Sequence, residues 1–231
     1  MDPNLASLLK WSVENTSSAN PPRATNPSNP SDSNTTDINT PDASTTSPPP
    51  SSRPINPDAL NALFGGPSDA DLLKLSMSAI LSSDPEISLD DKLIAFDNFE
   101  QLIENLDNAN NLAPLSLWQP LLSCLSHAEP EIRKMAAWCV GTAVQNNEKS
   151  QETALAEGAV PLLVKLARGV EEGEQVRRKA VYALSSLGRN FQPGMDQLTG
   201  ELGREKIDAA DMDEVDLLIN GLREDAKKGT Q

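Results

Sequence analysis

The chain of 231 residues carries 19 Lys and Arg against 34 Asp and Glu, which gives a formal net charge of −15 at pH 7. Phosphate backbones and anionic lipids repel so acidic a chain, which argues against direct binding to nucleic acid or to a membrane. The chain has a single histidine, which excludes any mechanism or metal site that needs two. We therefore assign no catalytic residue, metal ligand or cofactor.

The sequence also indicates the cellular compartment of the protein. No apolar run approaches the ~18–20 residues of a membrane span, and the first residues lack the basic start of a signal peptide. Cys124 and Cys139 make no disulfide framework and fit a reducing compartment, so we expect a cytoplasmic protein. Cys124 and His127 are one helical turn apart, but we interpret them as a buried residue and a helix-end residue, not as a nucleophile and base.

The first predicted element is an amphipathic helix over residues 1–14. Its apolar stripe, with Trp11 beside it, consists of Leu5, Leu8, Leu9 and Val13. The helix either docks on the end of the following domain or acts as a mobile arm. Residues 15–56 are predicted to be a disordered linker, because 31 of the 40 residues from 15 to 54 are Pro, Ser, Thr or Asn and bury almost nothing apolar.

A repeat follows, which we assign to residues 57–196. Residues 131–146 align with residues 175–190 at an offset of 44, and residues 91–105 align with the first of these at an offset of 41. The intervening segments, 118–125 and 159–166, also align at 41. Independent segments that agree on one offset indicate a structural repeat.

Each repeat unit is predicted to contain a short, a medium and a long helix. The long segments place apolar residues at i, i+3, i+4 and i+7, which is typical of an amphipathic helix of about 16 residues. Pro120 and Pro161 each open the medium helix, and Gly158 ends the short helix before it. No segment alternates with a period of two, so we predict an all-α fold, a short right-handed α-solenoid of the armadillo/HEAT type.

Capping elements are predicted on both sides of the repeats. Two short helices precede them, the first marked by Leu60, Leu63 and Phe64. The second is marked by Leu72, Leu73, Met77 and Ile80. After the repeats, residues 197–231 are predicted to form an acidic capping helix and tail, whose apolar positions are Val215, Leu218, Ile219 and Leu222.

The long helices should line the concave face of such a solenoid. We expect Trp138 and Tyr182 to be core packing residues, so that Trp138→Ala would cost about 3–5 kcal/mol as a core truncation. The polar stripe beside them supplies the candidate partner-binding residues, with Asn146 at the end of one long helix. They are Asp97, Gln101, Thr142, Gln145, Ser186, Arg189 and Asn146.

A second candidate surface is the Asn-rich stretch at residues 105–112. Asn caps helices and tolerates left-handed backbone, so a structural turn is one interpretation. A single turn does not need so many Asn residues, so a contact loop is the other, and Ala109→Arg is then expected to weaken partner binding without unfolding the chain. The candidate residues are Asn105, Asn108, Ala109, Asn110 and Asn111.

Several long segments carry a family resemblance. They are residues 8–16, 57–77, 95–112, 117–122, 141–147 and 182–190. These segments closely resemble the armadillo-type nucleotide exchange factors of the Hsp70 chaperone, specifically the fungal cytosolic members related to the human Hsp70-binding protein. This chain departs from them in a polar insert after the N-terminal helix, and it stops a repeat or more earlier than longer members.

The resemblance implies a co-chaperone that is not an enzyme. Its concave face would embrace the ATPase domain of cytosolic Hsp70 and promote ADP release and then client release. The N-terminal helix, with Leu8, Leu9 and Trp11, would engage the client-binding domain. The alternative is an armadillo adapter that binds extended peptides, although the position of its usual groove Asn here carries Gln101, Thr142 and Ser186.

Overall fold

The computed structural model describes residues 66–228, and every regular element in that range is helical. Ten α-helices follow one another within these residues, with a short 3-10 helix, Cys124–Ser126, directly after α4. They are α1 (Asp69–Leu81), α2 (Leu89–Ile103), α3 (Leu106–Asn111), α4 (Trp118–Ser123), α5 (Pro130–Val144), α6 (Glu148–Ala156), α7 (Ala159–Ala167), α8 (Glu174–Gly188), α9 (Gln192–Glu201) and α10 (Met212–Lys228).

The helices form the predicted repeat. Helices α3, α4 and α5 make one unit of short, medium and long helix, and α6, α7 and α8 make the next. The long helices stack in series, since α2 packs on α5, α5 on α8 and α8 on α10, with the most extensive contact between α5 and α8. One continuous hydrophobic core runs through the stack, as neighbouring units of an α-solenoid require. The predicted α-solenoid is confirmed.

Short polar side chains explain where several helices begin. Ser88 precedes α2 and forms a capping box, in which the backbone N–H of Asp91 donates to Ser88 Oγ at 3.2 Å and that of Ser88 donates to Asp91 Oδ2 at 2.9 Å. Ser68 caps α1 through the backbone N–H of Asp71 in the same way. These local bonds satisfy N–H groups of the first turn and mark where the first two helices begin.

Turn residues behave largely as predicted. Gly158 has a φ of 82° between α6 and α7, a left-handed conformation that glycine adopts without strain. The prediction for the prolines was slightly wrong, because α4 begins at Trp118 and α7 at Ala159, so that Pro120 and Pro161 stand later in the first turn. A proline is tolerated there because the first-turn N–H groups have no partner within the helix.

The C-terminal part contains one helix more than predicted. Helix α9 contains residue 196, the predicted boundary between the repeat domain and the C-terminal cap. Helix α10 then packs on α8 and takes the next place in the series of long helices. The prediction for its apolar face is confirmed, and the residues buried there are Val215, Leu218, Ile219 and Leu222.

Three predicted elements lie outside the described residues. They are the N-terminal helix over 1–14, the linker over 15–56 and the short helix marked by Leu60, Leu63 and Phe64. The division of the chain into four segments therefore stays a prediction. Between residues 66 and 228, the structure contains no helix that is long and apolar enough to span a membrane.

Candidate partner-binding face

The long helices present one shared face, whose centre is a cation held over two aromatic rings. The ammonium Nζ of Lys179 on α8 lies 3.8 Å from the centroid of the Trp138 ring on α5 and 5.8 Å from that of Tyr182. Such contacts are worth about 0.5–1 kcal/mol when exposed and about 2 kcal/mol when desolvated. We call the surface around Glu100, Trp138, Thr142, Lys179 and Tyr182 the long-helix face.

A glycine makes this close arrangement possible. Gly141 lies on α5 against the Tyr182 ring, and a Cβ atom there would stand 2.5 Å from Tyr182 Cε1 and 3.1 Å from the Ala183 Cα. Cβ atoms essentially never approach a ring carbon so closely, so a side chain at this position requires the Tyr182 ring or α8 to shift. The hydroxyl of Tyr182 then reaches back across α5 and donates to Gln145 Oε1 at 3.1 Å.

The N-terminal end of the face carries carboxylates. Glu100 on α2 is only 5% exposed, and it accepts a hydrogen bond of 2.7 Å from the hydroxyl of Thr142. Burial raises the pKa of Glu100, and the neighbouring charges of Glu104 and Asp97 raise it further, while the Thr142 hydrogen bond and Lys179 oppose the shift. This end can offer acceptors and negative charge to a partner.

The C-terminal end carries cations. A groove of about 790 Å³ runs between α8 and α10, and its floor includes both aromatic rings. Four cations line it, namely Arg178, Lys179, Arg223 and Lys227. Arg178 pairs with Glu174 at 3.4 Å, and Lys227 pairs with Glu224 at 2.6 Å. Lys179 and Arg223 form no ion pair with a carboxylate of the described residues.

The surroundings of Lys179 lower the pKa of its ammonium group. Burial lowers the pKa of its ammonium, and the charges of Lys134 and Arg178 lower it as well, whereas the carboxylate of Glu100 acts in the opposite direction. An ammonium in this position gains most when a partner supplies a carboxylate. The groove is therefore suited to an acidic surface, although the chain as a whole is strongly acidic.

The predicted polar stripe lies on or near this face. Thr142 and Gln145 line its smaller cavity, of about 350 Å³, together with Glu100 and the two rings. Asp97 and Gln101 lie on α2 and bond to each other, Nε2 to Oδ2, at 2.9 Å.

Two members of the stripe are already engaged within the protein. Arg189 is half-buried and forms an ion pair with Asp216 of α10, and it also donates to Ser185 Oγ at 3.0 Å. The half-buried Ser186 has its carbonyl occupied by Gln151 Nε2 at 2.8 Å. Both residues join α8 to neighbouring helices, so the structure gives them a local structural role.

The Asn-rich stretch is mainly structural, and the contact-loop hypothesis was wrong for two of its residues. Asn108 is buried and its amide donates to Asp69 Oδ2 at 2.8 Å and to the Leu102 carbonyl at 3.0 Å. Ala109 is 2% exposed, so Ala109→Arg would disrupt the core and does not test binding. Asn105 caps α3 by accepting from the N–H of Asp107 at 2.9 Å.

The remaining asparagines have distinct places. Asn110 is half-buried and its Oδ1 accepts from Ser150 Oγ at 3.4 Å, whereas Asn111 is exposed. Asn146, at the end of α5, has a φ of 51°, and the equivalent Asn190 after α8 has a φ of 54°. Asn tolerates this left-handed geometry better than most residues, so the repeated Asn ends a helix.

The prediction that Trp138 and Tyr182 are core packing residues holds only in part, because Trp138 packs against the hydrophobic core but neither side chain is fully buried. Both are half-buried and line both cavities of the long-helix face. The signal was present in the sequence, because each stands one turn before a residue of the polar stripe, Thr142 or Ser186, and aligns with the polar Asp97. The sequence pattern does not identify the cations of the groove, because their proximity depends on how α8 packs against α5 and α10. These cations include Lys179, Arg223 and Lys227.

No nucleophile–base pair forms at Cys124 and His127. The Cys124 thiol donates to the Pro120 carbonyl at 3.4 Å, and burial raises the pKa of that thiol. The His127 ring accepts from the backbone N–H of Glu129 at 3.0 Å. Over the described part of the chain, no group of His, Cys, Asp or Glu side chains is arranged to hold a metal ion.

The chain matches known protein families and relatives over most of its length. Two family models match it, "Nucleotide exchange factor Fes1" over residues 5–112 and "SIL1/FES1/HPBP1 C-terminal domain" over residues 108–204. The Hsp70 nucleotide exchange factor FES1 of Gibberella zeae is 54% identical over 230 residues, which cover 96% of this chain and 97% of that protein. The corresponding protein of Neurospora crassa is 51% identical over 98% of this chain and 99% of its own length.

A shorter match and one solved structure complete the comparison. The Hsp70 nucleotide exchange factor FES1 of Kluyveromyces lactis is 50% identical over 62% of this chain and 49% of its own length. A crystal structure of an engineered protein superposes with a TM-score of 0.51 at 17% identity, covering 74% of this chain and 71% of that one. At that identity the second likeness concerns the fold alone.

Proposed function

The chain belongs to the Fes1 family of nucleotide exchange factors, and we propose that it binds the ATPase domain of a cytosolic Hsp70 chaperone and accelerates ADP release. ATP then rebinds and the chaperone releases its client. The observation that carries the proposal is 54% identity, over 96% of this chain, to a relative named as an Hsp70 nucleotide exchange factor. The protein acts by binding in the cytoplasm and catalyses no reaction itself.

The mechanism is a coupling between two bound ligands. The factor binds more tightly to a state of the ATPase domain that holds ADP poorly, so ADP weakens the factor's binding as much as the factor weakens that of ADP. A thousandfold loosening of ADP needs about 4 kcal/mol of differential affinity, at roughly 1.4 kcal/mol per tenfold. A few well-placed contacts in an interface of ordinary size supply this.

The long-helix face is the surface we propose for the ATPase domain. Its aromatic rings, held by Gly141 and Lys179, supply rigid contact area, and aromatic residues are enriched where partners contribute most binding energy. The cations of the groove match an acidic patch on the partner, and complementary charge chiefly raises the association rate. The carboxylates at the other end fix the orientation, because they repel an acidic patch placed there.

The N-terminal helix has a separate role in the proposal. Residues 1–14, with Leu8, Leu9 and Trp11, engage the client-binding domain of the chaperone and help to clear rebound client. A flexible linker keeps such an arm at high effective concentration near its target. Deletion of residues 1–56 is expected to leave ADP release intact and to slow client release, and a deletion that changes neither activity contradicts this role.

The decisive experiment measures how fast a fluorescent ADP analogue leaves a cytosolic Hsp70 ATPase domain, with and without the full chain. We expect an acceleration of tenfold or more that saturates with factor concentration. Binding without acceleration would reduce the protein to a docking adapter. If neither is observed, a peptide array should replace the ATPase domain as the target, because the adapter of extended peptides then becomes the leading function.

A further inference from the structure

A second cavity lies beside the contact between α8 and α10 and is separate from the long-helix face. It has a volume of about 330 Å³ and shares no lining residue with the groove described above. Its walls combine apolar side chains, among them Leu202 and Leu222, with an unusual set of charges. These are Arg168, Arg177, Arg204, Lys228 and Asp225.

Arg177 is the most informative of these residues. It is only 7% exposed, and its Nε donates to the Ala226 carbonyl at 3.0 Å while another guanidinium N–H donates to the Glu172 carbonyl. Neutral carbonyls orient the guanidinium without neutralising it. Within residues 66–228, it forms no ion pair with any carboxylate. A buried charge without a counter-charge is costly, and an anion in the adjoining cavity would offset that cost.

The other cations strengthen this reasoning. Arg168, Arg204 and Lys228 are exposed around the cavity, and none pairs with a carboxylate in the described part of the chain. Arg168 and Lys228 stand at the ends of α7 and α10, where cations also favour the helix dipole. That effect does not account for Arg177 or Arg204. Against the single carboxylate of Asp225, the cavity keeps a clear positive excess within a chain of net charge −15.

We propose that this cavity binds a phosphate group. Guanidinium groups pair with phosphate through two parallel hydrogen bonds, and a phosphate monoester carries about −1.5 to −2 charges at pH 7, which offsets the positive excess better than one carboxylate. Arg177, held by the carbonyls of Ala226 and Glu172, supplies the fixed contact, and Arg168 and Arg204 close around the anion. Leu202 and Leu222 pack against the apolar part of the molecule to which the phosphate is attached. This binding is independent of the nucleotide-exchange proposal.

The test titrates the full chain by calorimetry with inorganic phosphate and, separately, with a phosphoserine peptide. We expect saturable binding of both probes. The double variant Arg168→Gln/Arg204→Gln should weaken it at least tenfold, since both side chains are exposed and the fold should remain intact by circular dichroism. The matched control is Lys149→Gln, which removes one exposed charge on α6, away from the cavity.

Each outcome decides the proposal. Peptide binding at least tenfold tighter than inorganic phosphate supports a site for a phosphorylated segment, and equal affinities support a site for the free anion. Absence of saturable binding overturns the proposal, as does a double variant that binds like the wild type. An equal loss in Lys149→Gln also overturns it, because general attraction by surface charge then explains the binding. If the double variant unfolds, Arg204→Gln alone, which lies in a loop, gives the same decision.

Discussion

The two ends of the long-helix face differ in charge although the same repeat position builds them. Where α2 carries Asp97, α5 carries Trp138 and α8 carries Tyr182. The first end gathers carboxylates around Glu100, and the second gathers cations around the two rings. The repeat thus preserves the inward residues that stack one unit on the next, while the outward positions vary from unit to unit. The proposed recognition of the partner depends on these outward residues.

The largest effect is expected where the two ends meet, at Gly141. Gly141→Val places a Cβ atom 2.5 Å from a carbon of the Tyr182 ring, so the ring or α8 must shift. Overpacking of this kind costs about 1–3 kcal/mol, which urea unfolding followed by circular dichroism measures. Gly221→Ala on α10 is the control, because nothing lies within 4 Å of a Cβ there. It should be neutral or stabilise by about 0.5–1 kcal/mol, and equal destabilisation by both changes would contradict the close-contact argument.

Removal of the central cation should weaken the partner selectively. Lys179→Met keeps the packing on Trp138 but deletes the charge, so the concentration of factor that half-saturates ADP release should rise about tenfold, or about 1.4 kcal/mol. Lys149→Met removes an exposed charge elsewhere and should have little effect. Asp97→Asn at the acidic end should change the affinity less than Lys179→Met. The reverse order would mean that the acidic end dominates recognition.

At the acidic end, Glu100 should limit stability in a pH-dependent way. Its pKa is raised from the ordinary value of 4.5, chiefly by burial, so the folded chain holds this proton more tightly than the unfolded chain does. The free energy of unfolding therefore loses this contribution as the pH rises above 4.5 through the raised pKa. Glu100→Gln keeps an acceptor for Thr142 and should be more stable than the wild type at neutral pH.

This gain should shrink toward zero as the pH falls to the ordinary carboxyl value, which urea unfolding at several pH values checks. Glu152→Gln, at an exposed carboxylate on α6, is the matched control and should show no comparable gain. A gain for Glu100→Gln that is the same at all pH values would show that packing, and not charge, is responsible.

The smallest effect is expected outside both ends. Asp216→Asn breaks the ion pair between α8 and α10, in which the Arg189 side chain is 29% exposed and that of Asp216 is 51% exposed. Exposed pairs contribute about 0.2–1 kcal/mol, so the melting temperature should fall only slightly. A loss comparable to that of Gly141→Val would show that Arg189 holds α10 in place.

Most of the fold could be predicted because its determinants are local. Periodicity, the glycine at 158 and the asparagines that end α5 and α8 each act within a turn or two of the chain, and the repeat supplied two independent copies. Helix α9 was missed. Its sequence contains few large apolar residues. It also contains Gly194, which is required there because the Leu187 carbonyl and the Phe191 ring leave no room for a Cβ.

The site was harder to predict because its determinants are tertiary. Asn108 has an ordinary surface-like sequence context, yet it is buried because Asp69, distant in the sequence, accepts its amide hydrogen. Trp138 has the apolar character of a core residue, yet it is only half-buried, and the side chain of Lys179 from the next unit lies over its ring. Neither partner can be identified until the packing of one helix on another is known.

The position of Trp138 has a practical consequence for spectroscopy. Of the two tryptophans in residues 66–228, Trp118 is 2% exposed in the core, whereas Trp138 is half-exposed beneath an ammonium group. Indole emission depends on nearby charge and water, so a partner that covers the long-helix face should alter the emission of Trp138 and leave that of Trp118 unchanged. A Trp11→Phe/Trp118→Phe double variant would leave Trp138 as the remaining tryptophan, so that its emission reports complex formation without a label.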